Sequence, residues 1–192
     1  MGYTTWFNGS LTFNKPVTEE LKTYINQFSN VRHMKRDVDK IKELYPNWID
    51  NCYKGNLGYE GEYFVGGCGT FGCSYNEDVT DYNCPPLGVP GLWCQWIIND
   101  DDELEWDGNE KFYDYVEWID YLINKFFEPE GYILNGTIEF EGEDRDDRGY
   151  IKVTNNIVER IYDDGNTTID DYSDDELITE LENRGYVVKK GA

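Results

Sequence analysis

Residues 132–162 read YILNGTIEFEGEDRDDRGYIKVTNNIVERIY, and this stretch decides the fold. Tyr132, Leu134, Gly136, Ile138 and Phe140 share one face by period-two alternation, the mark of a half-buried strand. Glu141 to Gly149 is a charged turn. Tyr150 to Thr154 and Ile157 to Tyr162 then pair around Asn155-Asn156, a dipeptide suited to a tight hairpin. Three strands in succession with short connections make an antiparallel meander.

Upstream lies the clearest helical pattern, over about 110–127. Phe112, Tyr115, Val116, Ile119, Leu122, Ile123 and Phe126 recur at helical spacing, with Asn109 as the expected cap and Pro129-Glu130-Gly131 as the stop. Before it, residues 92–106 read as a hairpin. Leu92, Cys94, Trp96 and Ile98 alternate, Asn99 to Asp102 turn, and Leu104 and Trp106 alternate again.

At the N-terminus Tyr3, Thr5, Phe7, Gly9, Leu11 and Phe13 define a strand over 3–13. A helix capped by Thr18 follows, burying Val17, Leu21, Tyr24, Ile25 and Phe28. A second, shorter helix with one basic face is expected over 32–45, carrying Arg32, Lys35, Arg36, Lys40 and Lys42. Residues 55–91 form a long irregular segment rich in glycine and proline, with Glu62 to Val65 a candidate short strand. Long ordered loops of this kind are often functional.

These elements predict an α+β fold: a two-layer sandwich, with an antiparallel sheet covered by helices. The expected division is a core domain over 1–162 and a small C-terminal helical appendage over 163–192. In the appendage a polar linker leads to the capping box Ser173-Asp174-Asp175-Glu176 and a short helix burying Leu177, Ile178 and Leu181.

The chain has 192 residues and a net charge of −22, from 39 acids against 17 bases. Such a chain repels phosphates and anionic membranes and favours basic protein surfaces. No apolar run reaches spanning length and no leader pattern opens the sequence, so a cytoplasmic protein without membrane contact is expected. The five cysteines then read as free thiols.

Catalytic and cofactor signatures are weak. His33 is the single histidine, read as a partly exposed helical side chain among bases, without a nucleophile motif to serve. Cys68, Cys73, Cys84 and Cys94 lack the two close pairs of a structural zinc site, and Cys94 falls on the buried face of a strand. The glycines of 66–72 match neither phosphate-loop nor dinucleotide patterns. Glu139 and Glu141 on one strand lack the lysine that would complete a nuclease set. No cofactor, metal or catalytic residue is assigned.

Charge distribution is more telling. Residues 100–192 hold 28 acids and 9 bases, whereas residues 1–99 hold 11 and 8. Carboxylates on a rigid scaffold can imitate DNA phosphates and compete for cationic grooves. Trp6, Trp48, Trp93 and Trp118 fall off the apolar faces, and tryptophans outside a core make good interface anchors.

Several segments resemble a family of tailed-phage and prophage accessory proteins: Tyr3 to Gly9, Pro90 to Trp96, Glu105 to Tyr113, Gly131 to Gly136, and Glu143-Asp144 with Asp147-x-Gly149. The likeness covers about 1–160 and implies a protein acting in the cytoplasm of an infected bacterium. It carries no activity with it.

The leading expectation is therefore an acidic inhibitor of a host defence nucleoprotein, such as a CRISPR effector or a restriction complex. It would occupy a basic surface of a host protein through Asp100, Asp101, Asp102, Glu103, Asp144, Asp146 and Asp147, without touching nucleic acid itself. One alternative is an enzyme or a nucleotide or small-molecule binder with a pocket under 55–91, lined by Tyr63, Tyr75, Asp78, Asp81 and Tyr82. Another is a structural or regulatory phage protein that self-associates.

Overall fold

The computed structural model describes residues 2–66 and 73–163. It is an α+β structure whose main sheet has six antiparallel strands in the order β4-β5-β1-β6-β7-β8. The strands are β1 (Thr5–Phe13), β4 (Trp96–Ile98), β5 (Glu103–Trp106), β6 (Leu134–Gly142), β7 (Arg148–Thr154) and β8 (Ile157–Tyr162). A second, two-stranded sheet pairs β2 (Lys35–Arg36) with β3 (Val79–Asp81).

The meander forms as its alternation dictates. Leu134, Ile138, Phe140, Ile151 and Val153 are buried, and the intervening residues face away. Asn155 and Asn156 both take positive φ, 50° and 68°, the backbone of a type I′ turn that matches strand twist. β1 pairs along its whole length with β6, from Thr5 opposite Gly142 to Phe13 opposite Leu134. Gly136 has φ 147°, and a Cβ there would stand 2.7 Å from the Ser10 carbonyl oxygen, so this crossing of β1 and β6 requires glycine.

Two helices cover one face. α1 (Glu19–Ser29) packs beside β4, and α3 (Tyr115–Leu122) beside β8; α2 (Val38–Leu44) lies outside this layer. Thr18 caps α1, its Oγ1 accepting from the Leu21 N–H at 3.4 Å. The aromatic core between the layers includes Phe7, Trp96, Phe112, Tyr115 and Phe140, with edge-to-face contacts such as Phe7 to Tyr115 at 4.8 Å.

Four expectations need correction. The segment over 110–114 is not helical: α3 starts at Tyr115, and its N-cap is Asp114 in a left-handed conformation, not Asn109. Trp118 is fully buried, because α3 is covered on its far side by α1 and the loop after it, where Phe28 and His33 pack on the indole. The expected helix over 32–45 begins only at Val38, capped by Asp37; Lys35 and Arg36 are in β2 instead. Glu62 to Val65 forms no strand.

The basic face expected on that helix is dispersed into internal contacts. Arg36 is buried against Asp78 at 2.5 Å, Lys35 pairs with Glu60 at 3.4 Å, and Arg32 lies over the Tyr82 ring at 4.4 Å. A small second core of Ile41, Cys52, Leu57 and Phe64 anchors the irregular segment. The glycine-rich run over 67–72 and the whole C-terminal appendage from 164 on lie outside the described residues.

Candidate functional site: the open face of the sheet

The helices leave the other face of the sheet uncovered among the described residues. Register decides what stands on it. Leu11 opposite Leu104 faces inward, so Thr12 opposite Glu103 faces outward, and Glu105 with it. Ile138 and Phe140 are buried, so Glu139 and Glu141 also face outward, opposite Asn8 and Trp6 of β1.

These four glutamates lie on a diagonal. Measured along β1, Glu103 sits level with Thr12, Glu105 two residues further toward the N-terminus, Glu139 with Asn8 and Glu141 with Trp6. Residues two apart in a strand are separated by about 6.7 Å, and β5 stands two strand spacings, about 10 Å, from β6. The step within each strand is close to the ~7 Å between successive phosphates on one strand of duplex DNA, whose axis carries a charge per strand every ~3.4 Å.

The acidic turns lie at the two ends of this diagonal. Asp100 and Asp101 precede Glu103 at the C-terminal end of β1; Asp144, Asp146 and Asp147 follow Glu141 at its N-terminal end. The nine residues of β1 hold them roughly 25 Å apart at ~3.3 Å per residue. The turns are therefore not one patch.

Several of the expected docking acids are used internally. Asp102 pairs with Lys22 at 3.1 Å and accepts from the Val17 N–H at 3.3 Å. Asp147 accepts from the Tyr3 hydroxyl at 2.8 Å and from Arg160 at 3.3 Å. Glu103 accepts from the Ser10 hydroxyl at 2.6 Å, and Glu105 from the Asn99 amide at 2.8 Å. These last two donors are neutral, so they fix the carboxylates without cancelling their charge. Asp100, Asp101, Asp144 and Asp146 are exposed.

Aromatic rings accompany the diagonal. Trp6, 51% exposed, stands directly across from Glu141, and Tyr150, 42% exposed, directly across from Glu139. Cross-strand neighbours place their Cβ atoms about 4.5–5.5 Å apart. A carboxylate beside an exposed ring is a seat for guanidinium, which gains an ion pair and a cation–π contact together. On the same face Glu159 stands across from Lys152, and Arg148 is drawn to Asp163 at 3.2 Å. The sequence names Trp6 as an anchor; it does not reveal that Glu139 and Glu141 continue the line begun by Glu103, because strand register is not local information.

The five side chains expected to line a pocket under 55–91 have unlike surroundings. Asp78 is fully buried behind Arg36, Tyr63 packs on Phe126 in the main core, and Asp81 is exposed on β3. Tyr82 turns its hydroxyl to the Cys73 carbonyl at 3.3 Å, and Tyr75 is 68% exposed. None of the five lines either of two clefts that do open. One cleft, of about 640 Å³, lies between the start of α1 and Tyr53, Lys54 and Glu130. The other, of about 820 Å³, lies beyond the β4 edge between 90–95 and 107–114.

His33 is buried, not partly exposed and not helical; its ring packs on Phe28 at 4.2 Å, and burial with the nearby Arg36 charge lowers its pKa to about 3. Cys94 is fully buried although it lies just ahead of β4 and not in the strand, and burial pushes its thiol up to about 12. Among the described residues no group of three or more His, Cys, Asp or Glu could hold a metal ion, and no helix is long and apolar enough to cross a membrane. No protein-family model, curated protein or solved structure matches the chain.

Proposed function

We propose that the protein is an acidic binding protein that occupies a cationic, nucleic-acid-binding surface of a host defence protein during phage infection. The observation that supports this reading is the diagonal of Glu103, Glu105, Glu139 and Glu141 across the open face, flanked by Trp6 and Tyr150. Carboxylates held on paired strands are preordered, so docking them costs little side-chain entropy compared with mobile loops. The excess of acids steers the approach to a basic groove, and the two rings supply apolar contact once there. The turns extend the anionic track at both ends and set the long-range field.

The test is affinity capture from infected-host lysate at low and high salt, followed by competition against duplex DNA on the recovered partner. Wild-type protein should retain a DNA-binding or RNA-guided protein at low salt, release it at high salt, and displace DNA from it. Glu139→Lys with Glu141→Lys should lose that partner while keeping the wild-type melting temperature. Undiminished capture by the double reversal, or a partner that still binds DNA when saturated, refutes the proposal.

A further inference from the structure

The two margins of the main sheet are finished differently. At β4 the Asn26 side chain takes both outward groups of Ile98: its amide donates to the Ile98 carbonyl at 2.9 Å, and its oxygen accepts from the Ile98 N–H at 2.8 Å. The Ser29 hydroxyl donates to the Trp96 carbonyl at 2.5 Å. Unpaired strand groups recruit further strands, and these side chains close that margin. At β8 no such closure exists among the described residues. The Asp163 N–H donates to the Arg148 carbonyl at 2.8 Å, which sets the parity of the ladder. Ile157, Glu159 and Ile161 turn N–H and C=O toward β7, and Val158, Arg160 and Tyr162 turn theirs outward.

Side chains on β8 follow the same alternation. Val158 packs on the core and Arg160 lies over the Tyr115 and Phe140 rings, so Ile157, Glu159 and Ile161 stand on the open face, both isoleucines exposed. Charge is balanced here, unlike at the acidic turns: Lys152 stands across from Glu159, Arg148 pairs with Asp163, and Arg160 with Asp147. The run Ile157-Val158-Glu159-Arg160-Ile161 is also self-complementary. A second β8 laid antiparallel on a two-fold axis through Glu159 sets each Ile157 opposite an Ile161, and each Val158 opposite an Arg160. The isoleucines then meet as cross-strand pairs, and Val158 and Arg160, whose backbone groups point outward, close two hydrogen bonds per pair. The cost is Glu159 against Glu159 at the axis, with a Lys152 on the far side of each. Moving the axis to Val158 or Arg160 sets an isoleucine against Glu159, and the second choice also sets arginine against arginine.

We infer that the β8 margin binds a second copy of this chain, antiparallel about Glu159, to give one continuous sheet with both helix layers on the same side. The contact is a single strand wide and falls in the class of interfaces below about 1,200 Å², so association is weak and depends on concentration. It does not depend on the glutamate diagonal.

The test is sedimentation velocity of the full chain over a concentration series, at high salt to screen the net charge. The wild type should show a monomer–dimer equilibrium. Ile157→Lys and Ile161→Glu should each weaken it about tenfold by removing both isoleucine pairs. Both side chains are exposed, so folding is preserved. Mixing the two variants, or placing both changes in one chain, sets the new ammonium opposite the new carboxylate and should restore association. Glu159→Gln should tighten it, by up to about fivefold, because the like charges at the axis are gone. The Glu139→Lys, Glu141→Lys protein should dimerise as the wild type does. A monomer at every concentration overturns the inference, as does association that the paired variants fail to restore. Growth beyond the dimer also overturns it, because two-fold pairing uses up the margin. A monomer whose Val158 and Arg160 amides resist hydrogen exchange overturns it in favour of another segment of the same chain on this margin.

Discussion

Arg36 and Asp78 form an ion pair of 2.5 Å in which both side chains are shut off from water. The pair joins β2 to the start of β3, and the Arg36 guanidinium also stacks 4.3 Å over the Phe64 ring. Removing one partner strands a charge in a dry site, a loss of about 3–5 kcal/mol. Asp78→Ala should therefore lower stability by that amount in urea unfolding, whereas the double variant Arg36→Met, Asp78→Leu should recover most of it. A single variant that costs under about 1 kcal/mol would show that water reaches the pair.

His33 gives a second handle on stability. Its folded pKa, about 3, lies below the ordinary 6.5, so the unfolded chain binds the proton first. Its contribution is fully present above pH 6.5 and is lost as pH falls from 6.5 toward 3. Over that window the wild type should lose about 1.4 kcal/mol per pH unit more than His33→Phe. Denaturation curves for both proteins from pH 4.5 to 7.5 measure the difference, and the many carboxylates cancel in the comparison. Parallel curves would mean that His33 is protonated in the folded state.

Cys94 should be inert. Its thiol is fully enclosed and its pKa is raised to about 12, so the thiolate is scarce at pH 8. Brief alkylation of native protein, read by peptide mass spectrometry, should modify the half-buried Cys73 and Cys84 and spare Cys94 until denaturant is added. Rapid native labelling at Cys94 would reveal opening of β4.

Asp102 separates scaffold from docking. It has φ +58°, pairs with Lys22 and accepts from the Val17 N–H. Asp102→Ala should cost about 1–2 kcal/mol by removing the acceptor and placing alanine in a left-handed backbone. Asp102→Asn keeps both the acceptor and the tolerated backbone, and should cost under about 1 kcal/mol. Neither should alter partner capture. Loss of capture in the folded asparagine variant would assign Asp102 to the docking surface after all.

The fold was legible where side-chain period alone determines the outcome. Alternation placed β1 and the meander, Asn155-Asn156 placed the last turn, and Thr18 placed the start of α1. It failed where a single residue departs from local preference. Asn109 and Asp114 are equally good caps by type, but the chain from 110 to 114 turns through two left-handed residues before α3 can begin. Trp118 lay off the predicted stripe because periodicity assumes one buried face, and α3 has cover on both sides. The acids of the turns were visible as composition, whereas the Glu105 to Glu139 step depends on β1 lying between β5 and β6. That adjacency joins residues more than thirty positions apart, and no window of sequence contains it.

The sheet ends at β8, whose outer margin meets no further strand among the described residues, and which shows Ile157 and Ile161 at 67% and 44% exposure. A free margin of that kind invites another copy to zip alongside. At neutral pH mutual repulsion between molecules of charge −22 keeps such encounters brief. Acidification toward the isoelectric point of about 4.2 removes that barrier. Excess acidity thus doubles as a chaperone built into the composition, and purification or storage near pH 4 should turn clear solutions cloudy.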